Sequence, residues 1–559
     1  MPATKLPDNY HPLDGSERRP SATAKKVGPA DPNETLTVTI ALRRRPDGAP
    51  LPGYDELARR PRLSEPEFIR RHGASEEDIG KVKAFATAHG LTVVEAHAAR
   101  RIVRVKGTAS QMQAAFAVEL GSYQHEIRPR RDRKPETEAY RGRDGFIFIP
   151  DSLRSIVVGV FGLDNRNITR ANGGDPPGTA PLGVPEVARL YNYPTNSAAG
   201  QVIGILSFPG IGAYDPTDIT KYFASLGGSF TAPAVVDVPV NGATNVGFPS
   251  PETTQDIEIA ASFAPGAAIN VYFTMHDQQG WFEAISRVAH PDPGDLQASV
   301  LSSSFFVAEG DDPAGLSPTG ATTAFLNAVS AALHDAAIQG ITVCIACGDT
   351  GTDSGVNDGQ VHVQYPGSDP WVLSVGGTTI GNISGSSFDE YVWNNDGAAT
   401  GGGVSAFFPL PAWQADAGVP ASLTQPRIQG RGVPDVAGNA NPDSGYGGLI
   451  YLGAPALGDG TSASAPQWAG LIAVINAALC VNVGFVNPAI YALRGKGFRD
   501  IVPGGGPADN GLNGAPGYPA GPGWDACTGW GSPNGQALLE ALRPIYYTLE
   551  IAQLVAAMA

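Results

Sequence analysis

From residue 201 onward short apolar runs alternate with stretches of helical pattern, and this alternation constrains the fold more than any other feature. Runs at 202–208, 235–240, 268–273, 299–305 and 341–346 are separated by helical patterns at 216–226, 251–264, 281–289 and 320–338. Parallel strands need crossover connections, and helices are the usual ones. Runs apolar on both sides suit strands covered on both faces. The expected core is therefore a mainly parallel α/β sheet with helices on both faces. Residues 370–450 read as Gly-rich loops and short strands.

At 559 residues the chain is too long for one ordinary core. Residues 1–34 are polar and Pro-rich and read as a disordered N-terminal segment. Residues 35–164 follow a βαββαβ order, with Ser75 as a helix cap, which suits a small ferredoxin-like α+β domain. Residues 165–180 are rich in Gly, Pro and Asn and read as a linker open to proteolysis. The remainder, 181–559, is the second domain. No run of about 18 apolar residues occurs, so no membrane partner is expected. The first 20 residues lack the apolar centre of a signal peptide.

Charge divides at the same place. Residues 1–174 carry 29 Lys and Arg against 22 Asp and Glu, a net of +7, and the rest of the chain carries −23. Two such parts attract each other. Acidic residues interleave the basic ones throughout the first part, which argues against a nucleic-acid surface. The second part has few cations, so acid would protonate its carboxylates without building strong positive self-repulsion. This composition suits an acidic environment, and salt adaptation as well. Four cysteines in such a chain are no disulfide framework, and Cys344 and Cys347 lie in an apolar run that reads as buried.

The chemistry gathers at three places. Gly458 to Pro466, reading GDGTSASAP, delivers Ser462 through a Gly turn to the start of a long apolar helix. Helix N-termini favour negative charge, as an acyl-transfer oxyanion requires, although a plain Ser/Thr cap would read the same. Its Gly-Thr-Ser-x-x-x-Pro pattern resembles the nucleophile segment of subtilisin-like peptidases, yet none of the nine His is followed by Gly-Thr. The second place is Ser250-Pro251-Glu252 to Asp256, a capped helix start. There Glu252 and Asp256 are four apart on a face continued by Ile259 and Phe263. Carboxyl groups aimed inward share a proton or serve chemistry, whereas an acidic first turn at the surface is a common alternative. The third is Asp349, just beyond the strand at 341–346, where open α/β sheets place their sites. Its Asp-Thr-Gly context also suggests an aspartic peptidase, but the βα alternation does not supply that class's two β-rich lobes.

Taken with Gly401–Ser405, Phe408–Pro411, Arg431–Asp435 and Gly521–Asp525, these motifs resemble the sedolisins, the serine-carboxyl peptidases, and among them the kumamolisin-like members. The N-terminal domain resembles the family's prodomain. The resemblance implies a subtilisin-like fold. It implies Ser462 as nucleophile, Glu252 as base, Asp256 as its orienter and Asp349 as oxyanion stabiliser. It further implies a self-processing zymogen that hydrolyses peptide bonds in acid, with protein or peptide substrates and its own prodomain as partners. The family's usual location is extracellular. One calcium ion is implied, held by the side chains of Asp500 and Asp525 and the carbonyls of Ile501, Gly521 and Gly523. Those residues alone also suit ordinary turn chemistry.

Three positions depart from the kumamolisin pattern. Ser207 stands where a further Glu extends the carboxylate chain, Phe305 where a Trp lies near it, and Gln364 where an Asp lines the substrate pocket. The last puts a preference for basic residues before the scissile bond in question. Two other readings remain, a tripeptidyl peptidase on the same triad and a non-catalytic binding protein on the same scaffold.

Overall fold

The computed structural model describes residues 6–20, 23–57, 62–127, 136–171, 182–210, 212–228, 230–309, 321–356, 358–395 and 397–558. Its centre is an eight-stranded sheet in the order Val235–Pro239, Ala268–Phe273, Val202–Ser207, Val300–Ser303, Thr342–Ala346, Leu373–Ser384, Ser387–Val392, with Val436–Asn439 also pairing Leu373–Ser384. All pairings are parallel except the final hairpin.

Successive strand residues point to opposite faces, and the core divides accordingly. Ile203, Ile205, Val271, Val300 and Cys344 join one apolar cluster with Ile257, Ile259 and Trp468. Leu206, Tyr272, Leu301, Val343 and Ile345 join the other with Trp281, Phe282 and Phe325. The helices Pro251–Phe263 and Thr461–Leu479 thus cover one face, and Gln278–Ala289 and Thr323–Ile338 the other. The expected layering of helix, sheet and helix is what the chain forms.

The N-terminal part builds a four-stranded antiparallel sheet in the order Thr92–His97, Ile102–Thr108, Thr35–Leu42, Val157–Phe161. Two of its helices are Glu76–Ala88, capped by Ser75 as read from sequence, and Ala109–Phe116. This is the βαββαβ arrangement, with additions that include the helix Glu65–His72. The hairpin Gly121–Ile127 and Glu136–Gly142 forms a separate sheet with Lys25–Pro29.

The expectation that residues 1–34 are disordered is corrected for residues 6–20 and 23–34, and residues 1–5 and 21–22 lie outside the described residues. Tyr10–Pro12 pairs with Phe148–Pro150, and Lys25–Pro29 with Gly121–Ile127. Arg18 meets Asp164 at 3.0 Å with both side chains buried. These tethers join residues more than 90 positions apart, so local composition could not reveal them. Leu13 and Ala30 enter the core of this part and repay the ordering of the backbone.

The sheet of the N-terminal part lies against the helices Gln278–Ala289 and Thr323–Ile338. Ala41, Ile102 and Phe161 share a cluster with Phe282 and Phe325. Asp335 accepts from Arg44 at 2.6 Å and pairs with Arg101, and Arg100 Nε donates to the carbonyl of His290 at 2.9 Å. Tyr54 packs against Trp371 with ring centres 4.6 Å apart and the rings tilted by 36°. The basic part therefore docks on the acidic part through particular ion pairs as well as net charge. Most of the expected linker, from 172 on, lies outside the described residues.

Candidate active site

Helix Pro251–Phe263 starts where sequence placed it, with Ser250 Oγ accepting from Glu252 N at 3.2 Å and Pro251 in the first turn. The cap fixes the first turn, so Glu252 and Asp256 project from one face, and both are fully buried. The helix Thr461–Leu479 begins after Gly460, whose φ of 76° is left-handed. Any Cβ there would collide with Asp349 Oδ2, so glycine is required twice over. Ser462 lies in this first turn and is also fully buried.

Three side-chain bridges bring the predicted residues together. Ser304 Oγ donates to Asp256 Oδ1 at 2.7 Å and lies 3.2 Å from the carbonyl oxygen of Ser462. Gln255 Oε1 accepts from Asp459 N at 3.0 Å, tying the acidic helix to the loop that delivers Ser462. Asp349 Oδ1 accepts from Thr461 N at 2.8 Å and from Thr461 Oγ1 at 2.6 Å. Asp256, Ser462 and Asp349 are thus linked at the carboxyl ends of Val300–Ser303 and Thr342–Ala346, and Glu252 lies one turn before Asp256 on the same helix.

Its electrostatics follow from burial. Burial drives the Asp256 carboxyl well above the usual range, against the opposing bond from Ser304. Burial raises Asp349 to about 6, against its bonds from Thr461. Asp349 Oδ2 has no hydrogen-bond partner. A protonated Asp349 therefore has a free donor position, which an ionised one lacks.

The four histidines of the acidic part are engaged elsewhere. His276 bonds the carbonyl of Pro209, His290 bonds Glu65, His334 stacks on Trp371 and His362 bonds Asp358. Ser207 Oγ donates to Gly212 O and bonds Thr253 Oγ1. Phe305 packs edge-on against Phe208 at 4.9 Å, among apolar neighbours. Ser304, Gln255 and Thr461 escaped the sequence reading. The run Ser302-Ser303-Ser304, polar at the carboxyl end of an apolar strand, was the available signal.

The strand Phe305–Ala308 follows directly on Ser304. Arg170–Ala171 pairs with it antiparallel, Arg170 opposite Phe306 and Ala171 opposite Phe305. Upstream, Ile168 N donates to the carbonyl of His276 at 3.0 Å and Trp281 Nε1 to Thr169 Oγ1 at 2.8 Å.

The two carboxylates of the expected calcium site meet the same loop. Asp500 Oδ2 accepts from Gly523 N at 2.9 Å and Asp525 Oδ2 from Gly521 N at 3.0 Å. Burial pushes Asp525 up to about 6, a cost that a cation would remove. Two carboxylates and loop carbonyls suit a hard cation. Among the described residues no group of three or more His, Cys, Asp or Glu could hold a metal ion. Cys344 and Cys347 are buried thiols whose pKa values burial raises, Cys347 to about 12.

Comparison with known proteins gives a consistent picture. Residues 22–166 match the family model described as "Pro-kumamolisin, activation domain". The chain is 39% identical to kumamolisin from Bacillus sp. (strain MN-32) over 95% of its length and 96% of that protein's. It is 33% identical to tripeptidyl-peptidase sed5 from Aspergillus fumigatus, over 96% of this chain and 98% of that one. Among solved structures it matches Pseudomonas sedolisin, a serine-carboxyl proteinase, with a TM-score of 0.55 and 26% identity, over 66% of this chain and 99% of that one.

Proposed function

Because the chain belongs to the sedolisin family of serine-carboxyl peptidases, as a kumamolisin-like hydrolase with an activation prodomain, we propose that it is an acid-acting endopeptidase made as a self-processing zymogen. The observation that carries this reading is the Ser304 bridge, which joins the buried Asp256 to the backbone of Ser462.

In this mechanism Ser462 Oγ attacks the substrate carbonyl while Glu252 takes its proton. Asp256 holds Glu252 in orientation and shares its proton. Protonated Asp349 donates from Oδ2 to the oxyanion. The C–N bond then breaks and Glu252 returns the proton to the leaving amine. Water attacks the acyl-Ser462 ester by the same exchange and releases the acid. Histidine, with an unperturbed pKa of about 6.5, would be protonated and idle in acid. Asp349, at about 6, is a donor in that range. Residues Asp500, Ile501, Gly521, Gly523 and Asp525 would hold one calcium, which would supply fixed charge that braces their loop.

The chain held in the cleft supports endopeptidase over tripeptidyl-peptidase action. Ile168, Thr169, Arg170 and Ala171 are all engaged along one path that ends beside Phe305, which supports a substrate path longer than three residues. The similarity to tripeptidyl-peptidase sed5 keeps the second reading in play. The test is mass spectrometry of a long unstructured peptide incubated with acid-treated protein and with its Ser462→Ala variant. Internal cuts by wild type alone are expected. Uniform tripeptides would favour the second reading, and cuts by both proteins would remove Ser462 as nucleophile.

A further inference from the structure

We propose that, once the N-terminal part has been released, the rings of Trp371, Trp413 and Phe485 form a second substrate-binding surface, remote from Ser462. It takes segments of protein substrates in which a proline lies two residues before an aromatic ring and an apolar side chain three residues after that ring. The inference rests on the zymogen reading above, because only release of the N-terminal part uncovers these rings.

The N-terminal part itself shows what the surface takes. Its segment from Pro52 to Leu57 buries Pro52 and Leu57 and half-buries Tyr54, while Gly53 and Glu56 face solvent. Tyr54–Leu57 is a single helical turn, so Tyr54 and Leu57, three apart, share a face. The centre of the Tyr54 ring lies 4.6 Å from that of Trp371, 5.9 Å from Phe485 and 6.3 Å from Trp413. Leu57 joins Phe485, Ala337 and Ile338 in one apolar cluster. Pro52 has no N–H, so its backbone hydrogen bond with His334 runs through its carbonyl.

The cup around Tyr54 is built by the second part alone. Ring centres are 5.2 Å apart for Trp371 and Phe485 and 6.3 Å for Trp413 and Phe485. Behind them His334 stacks on Trp371 at 3.8 Å, Tyr491 packs edge-on to Trp413 at 4.7 Å, and the Arg431 guanidinium lies 5.0 Å from the Trp413 ring centre. Asp435 fixes Arg431 and Tyr491 in turn, at 2.6 and 2.7 Å. None of these contacts involves residues 1–171, so the cup stays formed when they leave. A preformed site binds without first ordering its side chains, and contiguous aromatic rings opened to water mark an interaction surface.

The N-terminal segment leaves room beside itself. A cavity of about 530 Å³ next to Tyr54 is lined by Pro50, Leu51, Ala412 and Trp413 among others. Trp413 Nε1 is buried and has no hydrogen-bond partner, which leaves an unused donor for an occupant's carbonyl.

The cup stands at the far end of the sheet from the chemistry. Ile338 precedes the strand Thr342–Ala346 and Trp371 precedes Leu373–Ser384, its parallel neighbour. Thr342 Oγ1 donates to the carbonyl of Gly484, next to Phe485, at 2.5 Å. These are the amino ends of the strands, whereas Ser304 and Asp349 follow carboxyl ends. The length of the strand Thr342–Ala346 alone sets the two apart by about 17 Å. A substrate held in both places must be long, so the surface favours proteins and long unfolded chains over short peptides.

The experiment uses acid-treated full-length protein whose loss of the N-terminal part is checked by mass spectrometry. Two fluorogenic reporters share one cleavage sequence and a linker of about 40 Gly and Ser residues, whose reach is about 35 Å. One ends in residues 49–57, Ala-Pro-Leu-Pro-Gly-Tyr-Asp-Glu-Leu, and the other in the same tract with Pro52→Ser and Tyr54→Ser. We expect about a tenfold lower KM for the intact tract at an unchanged kcat, as added binding remote from the reacting bond requires. Free 49–57 peptide should abolish that difference without slowing the altered reporter. In Phe485→Ala the difference should shrink to about twofold. Equal KM values, or a free peptide that slows both reporters alike by occupying the cleft, would overturn the proposal and leave the endopeptidase reading standing. A shortened protein that sediments as a dimer and ignores the tract would assign the cup to a second copy and overturn it too. A protein that neither shortens nor cuts either reporter would overturn both readings. The two reporters decide the matter even if Phe485→Ala does not fold.

Discussion

Asp349 grips Thr461 with one oxygen and leaves the other free. Oδ1 accepts both the amide and the hydroxyl of Thr461, at 2.8 and 2.6 Å, while Oδ2 is buried and has no hydrogen-bond partner. The residue next to the nucleophile thus fixes the carboxyl group that would meet the oxyanion.

This arrangement predicts a pH signature for Asp349→Asn. Burial raises Asp349 to about 6, so wild type should lose its donor, and with it kcat, as pH rises through about 6. Asparagine donates at every pH. The ratio of variant to wild-type kcat should therefore climb above pH 6. The raised value also means that the folded state binds the proton more tightly. Its stabilising contribution is complete at low pH and is lost as pH rises through about 6. The wild-type melting temperature should accordingly fall across that window more steeply than the variant's. Parallel pH–rate profiles would exclude the oxyanion role.

Ser304 is a positioning residue, acting through Asp256. Its bond opposes the upward drive of burial on that carboxyl. In Ser304→Ala the buried acid pair should hold its proton to higher pH, leaving less free base in acid. We expect about a tenfold loss of kcat/KM and an acid limb displaced to higher pH. Ser304→Thr, which keeps the hydroxyl, should restore most of both. A loss of activity with an unmoved acid limb would make Ser304 merely structural.

Ser304 also marks the boundary of what sequence revealed. Ser250, Pro251, Glu252 and Asp256 were legible because capping and helical spacing are local. Gly460 to Ser462 was legible because a Gly turn before an apolar run is local too. Five of the sheet's strands followed from alternation, while Leu373–Ser384, Ser387–Val392 and Val436–Asn439 lay in the stretch read as Gly-rich loops and short strands. The bridges from Ser304, Gln255 and Thr461 join residues 48 to 204 positions apart, and one sequence carries no record of such partners. The order in residues 6–20 and 23–34 stayed hidden for the same reason, since its strands pair with chain more than 90 residues later.

Removal of calcium gives a third check. Asp500 and Asp525 approach the Gly521–Gly523 loop from two sides, and a cation would tie them together. Ligand present at a hundred times its Kd stabilises by about 2.7 kcal/mol. Chelation should then lower the melting temperature by several degrees, and added calcium should restore it. A melting temperature indifferent to chelator would count against the site.

The last prediction concerns release of the prodomain. Burial works against the charge on Asp335, but Arg101 and Arg44 together hold it down to about 2, so this anchor survives in moderate acid. The histidines behave differently. Burial and Arg44 push His334 down to about 4, and burial and Arg100 push His97 there too. Arg44 comes from the other part, so docking disfavours protonation of His334, whereas Arg100 acts on His97 within one part. Docking should be at full strength above about 6.5 and weaken as pH drops toward 4, by up to about a hundredfold through His334. Glu283, raised by burial against Arg104, works the other way and favours docking when protonated. The balance predicts a chain intact at neutral pH that shortens to a form starting near residues 171–181 as pH falls from 6 toward 4. His334→Phe keeps a ring on Trp371, stacked at 3.8 Å in the wild type, but gains no charge, so its conversion should need lower pH. Asp335→Asn strips both arginines of their partner, so its conversion should begin at higher pH. High salt at mildly acidic pH should speed conversion in all three by screening the attraction between the parts. Mass spectrometry of the full chain after timed steps in pH reads each shift directly. A common conversion pH for wild type and both variants would show that this interface does not govern activation.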